Sequence, residues 1–156
     1  MGETIGNSGL FIIAFQLIVS SISQKFKAIP TFLTGLSTMV LGFVVIALAK
    51  ISIPSFVFLG IFLFAIGEMM ASPRIQEYIT WIAPKEKAGL YMGSNFLATS
   101  FGGLFSGLIY TTLSGYFNNI AHPEYIWIAL AAHILLGILA IFIFTKRLGE
   151  FKELEA

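Results

Sequence analysis

The chain has 156 residues, of which 57% are hydrophobic and only 11% charged, and its mean hydropathy is +0.90. A soluble domain carries about 25% charged residues, so the composition excludes that class and marks an integral membrane protein. A net charge of +1 provides no basic field for nucleic acid, and the absence of Cys removes disulfides and thiolate metal sites.

With about 20 apolar residues needed per crossing, five segments are predicted to span: 5–23, 30–49, 56–79, 88–113 and 125–145, followed by a tail, 146–156. The expected fold is an all-α polytopic membrane bundle of about five helices. The start, MGETIGNSG, lacks the basic n-region of a signal peptide. The first segment is the weakest, because its continuous apolar part is short. Gln16 interrupts it, and Ser20, Ser21 and Ser23 give it a polar side. Gly35 and Gly42 mark a packing face on the second segment.

The third segment carries the strongest functional signal. On a helix entering the bilayer near Ser55, Glu68 lies about 20 Å down the axis, near mid-membrane. An ionisable group at that depth costs several kcal/mol unless it faces a polar cavity or a partner, and such groups mark substrate or proton paths. Pro73 removes a backbone N–H, which frees the carbonyl of Met69 and predicts a helix break beside Glu68 and Ser72. Freed carbonyls at membrane depth are tolerated where they line a cavity, as at transporter midplane sites. One reading makes Glu68 a cation or proton site; the other makes it a protonated, hydrogen-bonded link to a neighbouring helix. Arg74, Glu77 and Tyr78 follow at i,i+3 and i,i+4 spacing and can meet on one face near the segment's end, where long side chains snorkel. They form either an ionic gate latch or a boundary ion pair of small worth.

On the fourth segment Ala98, Gly102 and Ser106 recur at helical spacing, with Gly103 and Gly107 beside them, a face suited to close helix packing. The fifth carries His133, whose ordinary role would be a hydrogen-bonded structural one and whose alternative role is proton carriage.

Lys and Arg are distributed unevenly over the breaks. Lys25, Lys27, Lys85, Lys87, Lys146, Arg147 and Lys152 fall on one side, and Lys50 alone on the other. The positive-inside rule places the first set, and the C-terminus, in the cytoplasm. Trp81 and Tyr91 flank that boundary, while Tyr116, Tyr125 and Trp127 flank the outer one. Five spans then leave the N-terminus of the chain outside, which is best explained if further helices of the same protein precede Met1.

The stretch GEMMASPRIQEYITWIAPKEKAGLYMGSNFLATSFGGLFSG resembles the tenth and eleventh helices of major facilitator superfamily transporters. The resemblance is carried by Gly67-Glu68, Ser72-Pro73, the closing Ile82-Ala83-Pro84, a basic residue before Gly89, and Met92-Gly93 opening the next helix. Within the superfamily it is closest to the proton-coupled oligopeptide transporter branch. Loop positions and charge asymmetry extend it across the chain as helices eight to twelve, a C-terminal half. The resemblance implies that Glu68, with Ser72 one turn away, lines a central cavity and recognises a peptide's amino terminus. It also makes Gln16 and Asn7 contacts from the eighth helix. Two positions depart from the branch: Arg74-Ile75-Gln76-Glu77-Tyr78 replaces small and apolar residues, and Asn95 stands where a Trp is frequent.

The function expected is secondary active transport in the cell membrane, as proton-coupled symport of a small polar solute such as a di- or tripeptide. Its partners are the solute, protons, the bilayer and the missing N-terminal helices, with no cofactor. A non-transporting five-helix scaffold is the alternative. An enzyme is not expected; the remote enzymatic reading is an intramembrane serine protease, with Ser8 of Gly6-Asn7-Ser8-Gly9 as nucleophile and His133 as base.

Overall fold

A computed structural model describes residues 2–49 and 55–147, with side chains from Ile12 onward. The described residues form five α-helices and no strand: α1, Gly2–Ser23; α2, Ala28–Ala47; α3, Ser55–Ile82; α4, Ala88–Asn119; and α5, Tyr125–Arg147. A single 3₁₀ turn, Lys85–Lys87, links α3 to α4.

Helix boundaries follow backbone chemistry more than polarity. Pro30 sits in the first turn of α2, where a missing N–H costs nothing because those donors lack intrahelical partners. α3 stops at Ile82, two residues before Pro84, which disfavours helical geometry in the residue before it. α4 runs six residues beyond the predicted segment end at 113 and takes in Ser114–Asn119, which polarity alone reads as loop. It stops where Ala121 enters the left-handed region at φ 60°. There Ala121 N–H donates to the Asn118 carbonyl at 3.1 Å and His122 N–H to the Phe117 carbonyl at 2.9 Å, a Schellman cap.

The antiparallel pair α2–α3 is the centre of the bundle and its most extensive packing. α1 lies along α3, with the Phe15 and Phe62 rings edge to face at 6.0 Å. α5 lies on α2 through Phe43 and Trp127, 5.9 Å apart. Phe43 is near the end of α2 and Trp127 near the start of α5, so these two helices also run antiparallel. Ala28, Ile29 and Tyr78 form a buried cluster, with Leu33 and Ile75 packed against it. α4 has no buried residue and touches α3 and α5 only lightly. The chain directions bring the α1–α2 loop, the end of α3, the start of α4 and the end of α5 to one end of the bundle. Lys25, Lys27, Lys85, Lys87, Lys146 and Arg147 are therefore gathered at that end.

Four helical stretches are long and apolar enough to cross a membrane: Ala28–Ala47, Ser55–Ile82, Lys85–Asn119 and Tyr125–Arg147. In α1 the apolar stretch with described side chains, Ile12–Ser23, is shorter. Large apolar side chains cover the outer surface, among them Leu17, Leu90, Leu136 and Phe142, each more than 60% exposed. A hydrocarbon solvent suits that surface, and the protein is a multi-pass membrane protein.

Candidate functional site

α3 carries the polar residues that its apolar neighbours isolate. Glu68 is the fourteenth of its 28 residues, at the middle of the helix. It follows Gly67, which is buried against α2, so one residue's rotation turns Glu68 away from that seam and leaves it half-buried. Among the described residues its carboxyl has no hydrogen-bond or ion-pair partner. Ser72, one turn on, is exposed.

The expected break at Pro73 takes a milder form. α3 continues without division from Ser55 to Ile82 with Pro73 inside it. The lost hydrogen bond is the one to the carbonyl of Met69, whose own side chain is fully buried. Packing on both sides holds the helix together, because Ala71 and Arg74 flank the proline and are themselves buried.

Gln16 is half-buried on α1 and Asn95 half-buried on α4. Among the described residues no hydrogen bond joins Glu68, Ser72, Gln16 and Asn95. Asn7 and Ser8 lie on helical backbone in α1, and their side chains fall outside the described residues. His133 is exposed on α5. Among the described residues no group of three His, Cys, Asp or Glu is placed to hold a metal ion.

The second polar group is built around Arg74. Arg74 does not snorkel; it is buried, with only 4% of its surface exposed. Its Nη1 donates to Glu77 Oε2 at 2.5 Å, and its Nη2 donates to the backbone carbonyl of Phe26 in the α1–α2 loop. Nε has no partner. Glu77 is the outward member of the pair, 46% exposed. Tyr78 is buried against Ala28 and Ile29, with its ring 6.2 Å from that of Trp81. Arg74 and Glu77 meet as their i,i+3 spacing predicts, while Tyr78 packs on α2. The Phe26 carbonyl is the member that sequence could not supply, since a backbone oxygen has no residue signature. Through it, one guanidinium ties the α1–α2 loop to α3, which makes the cluster a clip between two parts of the chain and not a pair on a single helix.

The hydroxyls of α4 are turned inward on their own helix. Ser94, Thr99 and Ser100 each donate to the carbonyl four residues earlier at 2.9 Å, and Ser106 to Gly103 at 2.9 Å. Satisfied this way, they can face hydrocarbon. Among the described residues nothing packs closely on the small-residue face of Ala98, Gly102 and Ser106: a Cβ on Gly102, Gly103 or Gly107 would meet nothing within 4 Å. The helix-packing face of this chain is instead on α2 and α3.

At the opposite end, His122 Nδ1 lies 2.9 Å from Glu124 Oε1, and the His122 ring stacks on Tyr125 at 4.8 Å. The hydrogen bond from His122 holds the Glu124 carboxyl below the usual carboxylate range.

The family model of the Major Facilitator Superfamily matches residues 4–154. Searches of curated proteins and of solved structures found no match.

Proposed function

Because the chain belongs to the Major Facilitator Superfamily, a family of secondary transporters, we propose that it forms the C-terminal half of a proton-coupled symporter for a small polar solute such as a di- or tripeptide. The observation that carries the reading is Glu68: a carboxyl at the middle of a spanning helix, half-buried and unpaired among the described residues. A charge there is costly, and a group that alternately holds a proton and a solute ammonium avoids that cost in each state of a transport cycle. Ser72 and the freed carbonyl of Met69 add acceptors within a turn, and Gln16 and Asn95 supply amides from α1 and α4. Arg74, Glu77 and Tyr78 act as the cytoplasmic gate, the ionic latch of Arg74 and Glu77 helping to hold that gate in one state of the cycle.

In this reading the chain lies in the cell membrane with five spans, its C-terminus cytoplasmic and its N-terminus outside, and acts with helices that precede it. The two halves rock about a midplane site to give alternating access. Proton binding biases the cycle only through different affinities in its two states.

The test is Glu68→Gln in the complete transporter. Gln keeps shape and hydrogen bonding but neither titrates nor carries charge. The expected result is loss of proton-driven accumulation with normal amounts of folded protein in the membrane. Accumulation at the wild-type rate with unchanged pH dependence would make Glu68 a structural residue and favour the scaffold reading.

A further inference from the structure

α2 and α3 touch backbone to backbone at two places. Gly35 and Gly42 are seven residues apart on α2, and Gly60 and Gly67 are seven apart on α3. A Cβ on Gly35 would lie 2.7 Å from the Gly67 carbonyl oxygen, and one on Gly67 would lie 2.5 Å from the Gly35 carbonyl oxygen. At the other crossing, a Cβ on Gly42 would lie 2.8 Å from the Gly60 oxygen, and one on Gly60 would lie 2.7 Å from the Gly42 oxygen. Both crossings are reciprocal, and although the Ile46 and Met39 side chains also lie close to Gly60 and Gly67, these four oxygens are backbone and cannot rotate away.

Two crossings of equal spacing in antiparallel helices define a register. Sliding α3 by one turn brings Phe56, Leu63 or Phe64 to a place where even a methyl group does not fit. The next register that sets glycine opposite glycine lies seven residues away, about 10.5 Å along the axis, and it restores only one of the two crossings. The clip from Arg74 to the Phe26 carbonyl and the burial of Tyr78 against Ala28 and Ile29 fasten the same pair at its basic end. α4 is the opposite case. It buries no residue, and its glycines meet nothing within 4 Å.

We propose that α2 and α3 are locked in a single register and move as one rigid body, and that displacement within this bundle is taken up between α3 and α4, about the turn at 83–87. An interface of closely fitted backbones has discrete arrangements and does not creep, whereas the α3–α4 interface has few close contacts to resist displacement. The lock is independent of what the protein carries.

The test measures distances between pairs of spin labels in the complete protein in bilayers, this chain being free of Cys. Leu41→Cys with Leu59→Cys reports on α2–α3, and Leu59→Cys with Leu108→Cys reports on α3–α4; all three leucines are exposed. The first pair is expected to give one narrow distance that is the same in acidic and alkaline buffer. The second is expected to give a broader or shifting distribution. Gly42→Ala should broaden the first distance, and Gly102→Ala should leave both as they were. If the Gly42 variant does not fold, the two label pairs still decide. A first distance that shifts as much as the second overturns the proposal, as does a second distance as narrow and constant as the first. Because neither readout depends on solute movement, failure of the lock and failure of the symport reading are separate results.

Discussion

Arg74 has its charge balanced by one partner and its fork filled by another. Nη1 meets the Glu77 carboxylate and Nη2 the Phe26 carbonyl, in surroundings where the rest of the side chain is buried. A Lys at this position keeps the charge but offers a single compact ammonium that cannot reach both acceptors in a fork. Arg74→Lys is therefore expected to destabilise the protein by about 1–3 kcal/mol, the cost of leaving a buried polar group unpaired, read as a lower melting temperature in detergent. An unchanged melting temperature would show that the α1–α2 loop is held by packing alone. At this scale the sequence is legible where chemistry depends on spacing along one helix, as in the Arg74–Glu77 pair. It is silent on the partner from the loop, and it places Arg74 at the surface because an isolated guanidinium near a membrane boundary ordinarily reaches for water. Glu68 is the converse case: its depth follows from counting residues, while its lack of a partner among the described residues is visible only in three dimensions.

Among the elements, the four long apolar helices follow from hydropathy, and the end of α3 from Pro84. The length of α4 does not. Its last turns are polar, and the signal that ends it is a left-handed residue normally supplied by Gly, a place here taken by Ala121. An L residue with a Cβ is strained there by about 1–2 kcal/mol, partly offset because Gly has more freedom to lose on folding. Ala121→Gly is expected to raise stability by about 0.5–1 kcal/mol net, seen as a higher melting temperature with helix content unchanged; a lower one would mean that the turn relaxes away from φ 60° in the membrane. On α4 the small-residue spacing predicts a packing face but does not name its partner, and none of the described residues supplies one. Gly35 and Gly42 find one because α3 carries glycines at the same interval in the opposite direction, a match between two segments that neither shows by itself.

For the molecule as a whole, the charge asymmetry read along the chain becomes an asymmetry between two ends of one bundle. If the basic end is cytoplasmic, a single Cys at Asn118 in intact cells is labelled by an impermeant maleimide and one at Glu86 is not. The reverse pattern would invert the topology and move Arg74 and its neighbours to the outer face. The two ends also differ in reach. The 32 residues of α4 measure about 48 Å at 1.5 Å each, against about 30 Å of hydrocarbon. Tilt in the ordinary range of about 20° recovers only a few ångströms of that mismatch. α4 is thus a post taller than the floor it stands in, and its capped tip lifts His122, Glu124 and Tyr125 clear of the lipid tails into the headgroup and water layer, where the described part of the protein has its most exposed ion pair.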